Sequence, residues 1–149
     1  MKLHNYMEFK QFLEATEEQK NIKTMLAKIP KKHRNLVRGF KYEFIKGNTL
    51  DGDDENIGLC DKCKKKLTIA GPWHYGREFT TLHEVGHLVW EMLPPEKKAE
   101  WKKVLKGTKG KHQRQNAEEL FCMAYANTYA KHKDVIHDHP EWDQFIKKL

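Results

Sequence analysis

The segment 77–93, "REFTTLHEVGHLVWEML", constrains the fold more than any other part of this chain. Its apolar and small residues recur every three or four positions, which is the spacing of one face of an α-helix. They are Phe79, Leu82, Gly86, Val89, Trp90 and Leu93. Pro94 follows and cannot continue the helical hydrogen bonding. The strongest helix of the chain is therefore predicted here.

The remaining patterns predict further helices and a few short strands. Helical spacing and start signals predict helices over 5–28, 95–105, 116–131 and the C-terminal "HPEWDQFIKKL". A strand is predicted over 40–45, and "IGLCDKCKKKLTIAG" has two apolar runs around a polar turn, which is typical of a hairpin. The strand "KLTIA" in this hairpin could offer an exposed edge to an extended peptide.

Length and cysteine usage limit the class of protein. A chain of 149 residues is about one domain, and no repeat or linker divides it. It contains no run of eighteen apolar residues and no apolar core of a signal peptide, so we expect no membrane span. Three cysteines leave at least one unpaired, which favours a reducing, cytoplasmic location.

The charge is basic, with 28 Lys and Arg against 21 Asp and Glu, a formal net charge of +7. Such an excess could attract nucleic acid or an acidic protein surface. No aromatic-interleaved binding motif accompanies it, so lysines that solvate a small domain are the favoured interpretation. Nucleic acid stays open as a partner but is not favoured.

Inside the predicted helix, "HEVGH" has the HExxH pattern of a zinc site. Residues four apart lie on one helix face, so His83 and His87 can direct two ring nitrogens at one point. Glu84 lies roughly a third of a turn away, where it can act as a general base without being a ligand. The alternative is a half-buried helix that happens to carry two histidines.

A catalytic zinc site usually takes three protein ligands, and the third must come from elsewhere in the chain. His112, Glu118 and Glu119 are the first candidates downstream of the motif. Glu119 opens an apolar helix that could pack against the motif helix. However, Asn116 followed three residues later by Glu119 is also a capping-box pattern, in which the glutamate only bonds back to the cap. From these residues alone, either Glu118 or Glu119 could be the third ligand.

Together, "TLHEVGHLVW" and "NAEELFCMAYANTYA" resemble the gluzincin metallopeptidases, above all the branch of the anthrax lethal factor catalytic domain and the secreted Pro-Pro endopeptidases. In that branch the ligand glutamate begins a pattern of the type E-F-F-A-E-A-F. The stretch "ELFCMAY" aligns with this pattern, and the resemblance implies that Glu119 is the third ligand. The resemblance covers roughly 77–149, including the terminal "HPEWDQFIKKL", and implies a zincin-like fold.

Two positions depart from the family pattern. The second acidic residue of the family, four positions after the ligand, is Met123 here, so the bond it makes to a ligand is absent or replaced. The family also commonly has a tyrosine seven residues before the ligand, where this chain has His112. An imidazole can donate the same hydrogen bond to a tetrahedral intermediate, so His112 is a candidate catalytic residue.

The cysteines are interpreted more simply. Cys60 and Cys63 form a C-x-x-C pattern without a second pair of ligands, so we favour free thiols at a hairpin turn over a second metal or a redox pair. Cys122 is expected to fill the core on the Glu119 helix.

The whole sequence therefore predicts a single α+β domain over 1–149, a small twisted sheet with helices on one face. An N-terminal helical and sheet part covers about 1–76, and the site helices cover about 77–149. The expected function is a monomeric zinc endopeptidase acting on a peptide or protein. His83, His87 and Glu119 would bind one Zn²⁺ per chain. The rival is a noncatalytic zinc module that binds nucleic acid or a partner through its basic surface.

Overall fold

A computed structural model describes residues 17–45, 58–70, 77–108 and 116–149. The described helices are α1 (17–28), α2 (Lys31–Arg34), α3 (Arg77–Met92), α4 (Pro95–Gly107), α5 (Ala117–Tyr129) and α6 (Pro140–Lys147). The strands are β1 (Lys41–Ile45), β2 (Gly58–Asp61) and β3 (Lys66–Ala70), and short 3₁₀ turns cover Asn35–Val37 and Val135–His137. The predicted α+β class is confirmed. None of the described helices has the length and apolar character needed to cross a membrane.

The sheet has the order β1-β3-β2, with β1 parallel to β3 and β2 antiparallel to β3. The predicted hairpin is therefore confirmed. The suggestion that "KLTIA" offers a free edge is wrong, because this strand is β3 and pairs on both sides. Among the described strands, β2 lies at the edge of the sheet. Leu67 and Ile69 of β3 are fully buried, and α3 packs against both β2 and β3.

The helix predictions after residue 76 agree closely with the structure. Helix α3 ends just before Pro94, and α4 begins with a proline at its first position, where no backbone donor is needed. Helix α5 begins after Asn116, whose side chain accepts a hydrogen bond from the backbone N–H of Glu119 at 2.7 Å. For the predicted N-terminal helix, positions 5–16 lie outside the described residues.

Helices α3 and α5 form the most extensive contact of the fold. They approach closely because Gly86 has no side chain: a Cβ there would lie 3.0 Å from the Cα of Cys122. Glycine in a helix interior costs about 1 kcal/mol relative to alanine, and here it permits the close packing of two backbones. The fully buried Cys122 fills the space opposite, as the sequence predicted.

An aromatic cluster holds α4 and α6 against α5. The Trp101 ring lies 5.8 Å from Phe121, 5.4 Å from Trp142 and 5.3 Å from Phe145 between centroids. The indole N–H of Trp101 donates to the backbone carbonyl of Ala117 at 2.8 Å. Since Trp101 is fully buried, this bond satisfies its polar group and fixes α4 near the start of α5. Trp142 and Phe145 are buried residues of α6.

His33 is a second buried polar contact of α5. It is fully buried in α2, and its Nδ1 lies 3.0 Å from the hydroxyl oxygen of Tyr125. Burial, and to a smaller extent the charge of Lys32, lowers the pKa of His33 from 6.5 to about 4. The folded chain therefore keeps this imidazole neutral at pH values where an exposed histidine is protonated.

Lowering the pH from about 7 to about 4 should therefore destabilise the fold through His33. Between its two pKa values the unfolded chain binds a proton that the folded chain does not, which amounts to about 3 kcal/mol. Urea unfolding of the native chain and of His33→Asn should show a weaker loss of stability with falling pH in the variant. His132→Asn, at an exposed position, is the control. Equal pH dependence in native chain and His33→Asn would contradict this account.

Candidate metal centre

Helix α3 presents His83 and His87 on one face, as their spacing predicted. Their rings lie edge to face with centroids 5.2 Å apart, and both side chains are only partly exposed. Two imidazoles at this separation can direct a nitrogen each at a shared point.

Helix α5 brings Glu119 against both histidines. One carboxylate oxygen lies 3.1 Å from Nε2 of His83, and the other lies 3.2 Å from Nε2 of His87. Only half of the capping box is present, because Asn116 caps the backbone of Glu119 while the Glu119 side chain extends to α3. The Glu119 side chain therefore contacts the histidines of α3 and does not act as the cap partner of Asn116.

Glu118 contacts the imidazole ring of His87 on the side opposite to Glu119. Its carboxylate oxygen Oε1 lies 3.2 Å from Nδ1 of His87. Neighbouring residues of one helix point about 100° apart, so Glu118 and Glu119 reach opposite nitrogens of one imidazole.

These contacts shift the ionisation of the cluster in opposite directions. Hydrogen bonding to His83 and then to His87 lowers the pKa of Glu119 well below its usual range. Hydrogen bonding to Glu119, opposed by burial and supported by Glu118, raises the pKa of His87 to about 9. Glu119 is thus an anion near neutral pH.

Glu84 has a different environment from its neighbours. Only 8% of the residue is exposed, and burial raises its pKa, although the charges of His83 and His87 act in the opposite direction. Strand β2 lies directly against it: a Cβ on Gly58 would come within 2.8 Å of Oε1 of Glu84. The glycine therefore lets the backbone of β2 cover this carboxyl group.

Cys122 is a second group near the histidines that could complete a metal site. Its Sγ and one nitrogen each of His83 and His87 lie within 4.8 Å of one another. However, burial and the nearby carboxylates Glu119, Glu118 and Glu84 raise the pKa of this thiol. Glu119 differs from this thiol in being anionic and partly exposed, with 43% of its side chain accessible.

A cleft of about 760 Å³ lies over these side chains. It is bounded by β2, α3 and α5, and its apolar lining includes Phe79, Leu88 and Met123. Glu91 of α3 pairs with Lys62, from the turn after β2, at one side of the cleft. The volume is in the range of sites that bind small ligands or a few residues of a peptide.

Sequence reasoning did not place Gly58 or Cys60 at the site, although both residues line the cleft. An isolated glycine at the start of an apolar run was the available signal for close backbone approach. Cys60 lies in strand β2 rather than in the turn, whereas Cys63 lies in the turn and is exposed, and both are free thiols. His112 lies outside the described residues.

Apart from His112, the sequence analysis proposed four site residues. The structure brings all four of them together: His83, Glu84, His87 and Glu119. No protein-family model, curated protein or solved structure matches this chain. What the site can do therefore follows from the chemistry of its own side chains.

Gly58→Ala should destabilise the fold. The added methyl group would lie 2.8 Å from Oε1 of Glu84 and 2.8 Å from Cγ2 of Thr80, so the strand or the helix must move, at a cost of about 1–3 kcal/mol. Gly107→Ala is the matched control, because a methyl group at that position would meet no neighbouring side chain or strand within 4 Å. Urea unfolding should also show partial recovery in Gly58→Ala combined with Thr80→Ser, which removes the contacted methyl. Unchanged stability in Gly58→Ala would refute the close approach.

Proposed function

We propose that this chain is a zinc-dependent endopeptidase that acts on a peptide or protein substrate. The observation that carries the proposal is the position of Glu119, whose two oxygens lie 3.1 Å and 3.2 Å from the Nε2 atoms of His83 and His87. Two imidazoles and a carboxylate are a known ligand set of catalytic zinc. These residues would hold one zinc ion per chain.

The donor set suits zinc by residue type and by its access from the cleft. Glu119 is already anionic and 43% of its side chain is exposed, so a metal can reach it from the cleft. His87 must lose a proton to ligate, as histidine ligands generally do when a metal binds. Cys122 is fully buried beneath the histidines and is the less suitable donor.

A bound zinc ion would lower the pKa of a water molecule and polarise a substrate carbonyl. Glu84 follows His83 directly and lines the cleft, where it can accept a proton from water and return it to the leaving amine. Burial raises the pKa of Glu84 above its ordinary value. The cover of β2 over Glu84 limits its access to bulk solvent.

The shape of the cleft favours an extended substrate. Strand β2 borders the cleft and lies at one edge of the sheet among the described strands, so a peptide substrate could pair with it as an added strand. Apolar contacts would come from Phe79, Leu88 and Met123. The monomeric state and the cytoplasmic location stay predictions from the sequence.

Glu84→Gln should bind zinc with native affinity and lose hydrolysis. The amide has the same shape but cannot accept a proton, and loss of a general base costs about 10²–10⁴-fold in rate. Cleavage of a mixed peptide library followed by mass spectrometry measures the activity, with Glu100→Gln on the exposed face of α4 as control. Native turnover in Glu84→Gln would contradict the role of Glu84 as general base. A native chain that binds zinc but cleaves nothing would support the noncatalytic alternative.

Glu119→Ala should weaken zinc binding by more than about 100-fold, since even partners outside the ligand set are worth 10–100-fold. Cys122→Ala should change the zinc affinity little, because the thiol is fully buried whereas Glu119 offers a partly exposed donor. Chelator competition at equilibrium measures both variants. If Cys122→Ala strips the metal and Glu119→Ala does not, the third ligand is the thiol.

A further inference from the structure

His87 is held at both ring nitrogens by carboxylates of one helix. Glu119 lies 3.2 Å from Nε2 and Glu118 lies 3.2 Å from Nδ1. Both carboxylates are partly exposed, at 43% and 39% of their side chains, and the imidazole between them is less exposed, at 27%. This arrangement gives the two adjacent glutamates different tasks.

We propose that Glu118 is the positioning residue of the metal centre, which orients His87 by accepting a hydrogen bond from its Nδ1–H. This inference rests on the zinc site of the proposed function. A neutral imidazole carries one proton, and holding that proton at Nδ1 leaves the Nε2 lone pair for the metal. Nε2 is the atom that faces Glu119, so the ring orientation required for ligation is the one that Glu118 stabilises.

The contact between Glu118 and His87 is of the kind that histidine ligands generally make outside the ligand set. A histidine ligand nearly always donates its second N–H to an oxygen acceptor. For His87, Oε1 of Glu118 at 3.2 Å from Nδ1 is placed to be that acceptor.

The competing explanation is a general helix effect. Glu118 is the second residue of α5, where a negative charge stabilises the helix N-terminus. Glu96 occupies the same position in α4 and is exposed, which makes it a matched control. A helix effect should appear equally in both variants, whereas an effect on His87 should appear only in Glu118 variants.

The test compares zinc affinity and stability in Glu118→Ala, Glu118→Gln and Glu96→Ala. Zinc affinity from chelator competition should fall 10- to 100-fold in Glu118→Ala and stay native in Glu96→Ala. Glu118→Gln keeps an acceptor oxygen and should lose less. Nitrogen-edited NMR of the zinc-loaded native chain should show a protected Nδ1–H on His87 that exchanges faster in Glu118→Ala. The stability of the metal-free protein should fall more in Glu118→Ala than in Glu96→Ala, because only Glu118 also contacts His87.

The possible outcomes separate this inference from the proposed function. Native zinc affinity together with an unchanged Nδ1–H signal in Glu118→Ala overturns the inference and leaves the peptidase proposal intact. Weaker zinc binding in Glu118→Ala, combined with a native chain that cleaves no peptide, supports the inference and overturns the peptidase. A native chain that binds no zinc overturns both.

Discussion

The close approach of α3 and α5 at Gly86 is the constraint on which the rest of the site depends. A side chain at this position would meet the backbone of Cys122 at 3.0 Å, so any larger residue would push the two helices apart. The histidines lie on α3 and the glutamates on the first turn of α5. Contacts of 3.1–3.2 Å between them exist only because the helix axes are this close. The apolar core and the polar site therefore share one interface.

Environment assigns different properties to the three glutamates of the site. Glu84 lies under β2, where burial raises its pKa, whereas Glu119 faces the cleft between two imidazoles, which lower its pKa. Pairs of carboxyl groups with opposite shifts are a common arrangement where one group accepts a proton and another stays anionic. Glu118 extends the cluster to the second nitrogen of His87. Identical side chains thus meet different surroundings within one cleft.

Much of the local structure could be predicted from the sequence, because it depends on interactions within a few residues. The spacing of apolar residues predicted α3, Pro94 predicted where it ends, and Asn116 predicted where α5 begins. The sheet was predicted less well: both strands of the hairpin were found, but the position of β3 between β1 and β2 was not. Strand order depends on contacts distant in the chain, and alternation of apolar residues carries no information about which strand is the neighbour.

By itself the sequence determined that His83 and His87 share a helix face, since a repeat of 3.6 residues fixes that geometry. It also determined that α5 starts with two glutamates. Which of them meets the Nε2 atoms was decided by the tertiary structure, because the rotation of α5 about its axis is set by packing of Cys122 against Gly86. The burial of Glu84 was likewise decided by a strand more than twenty residues away, whose Gly58 has no side chain to keep it at a distance.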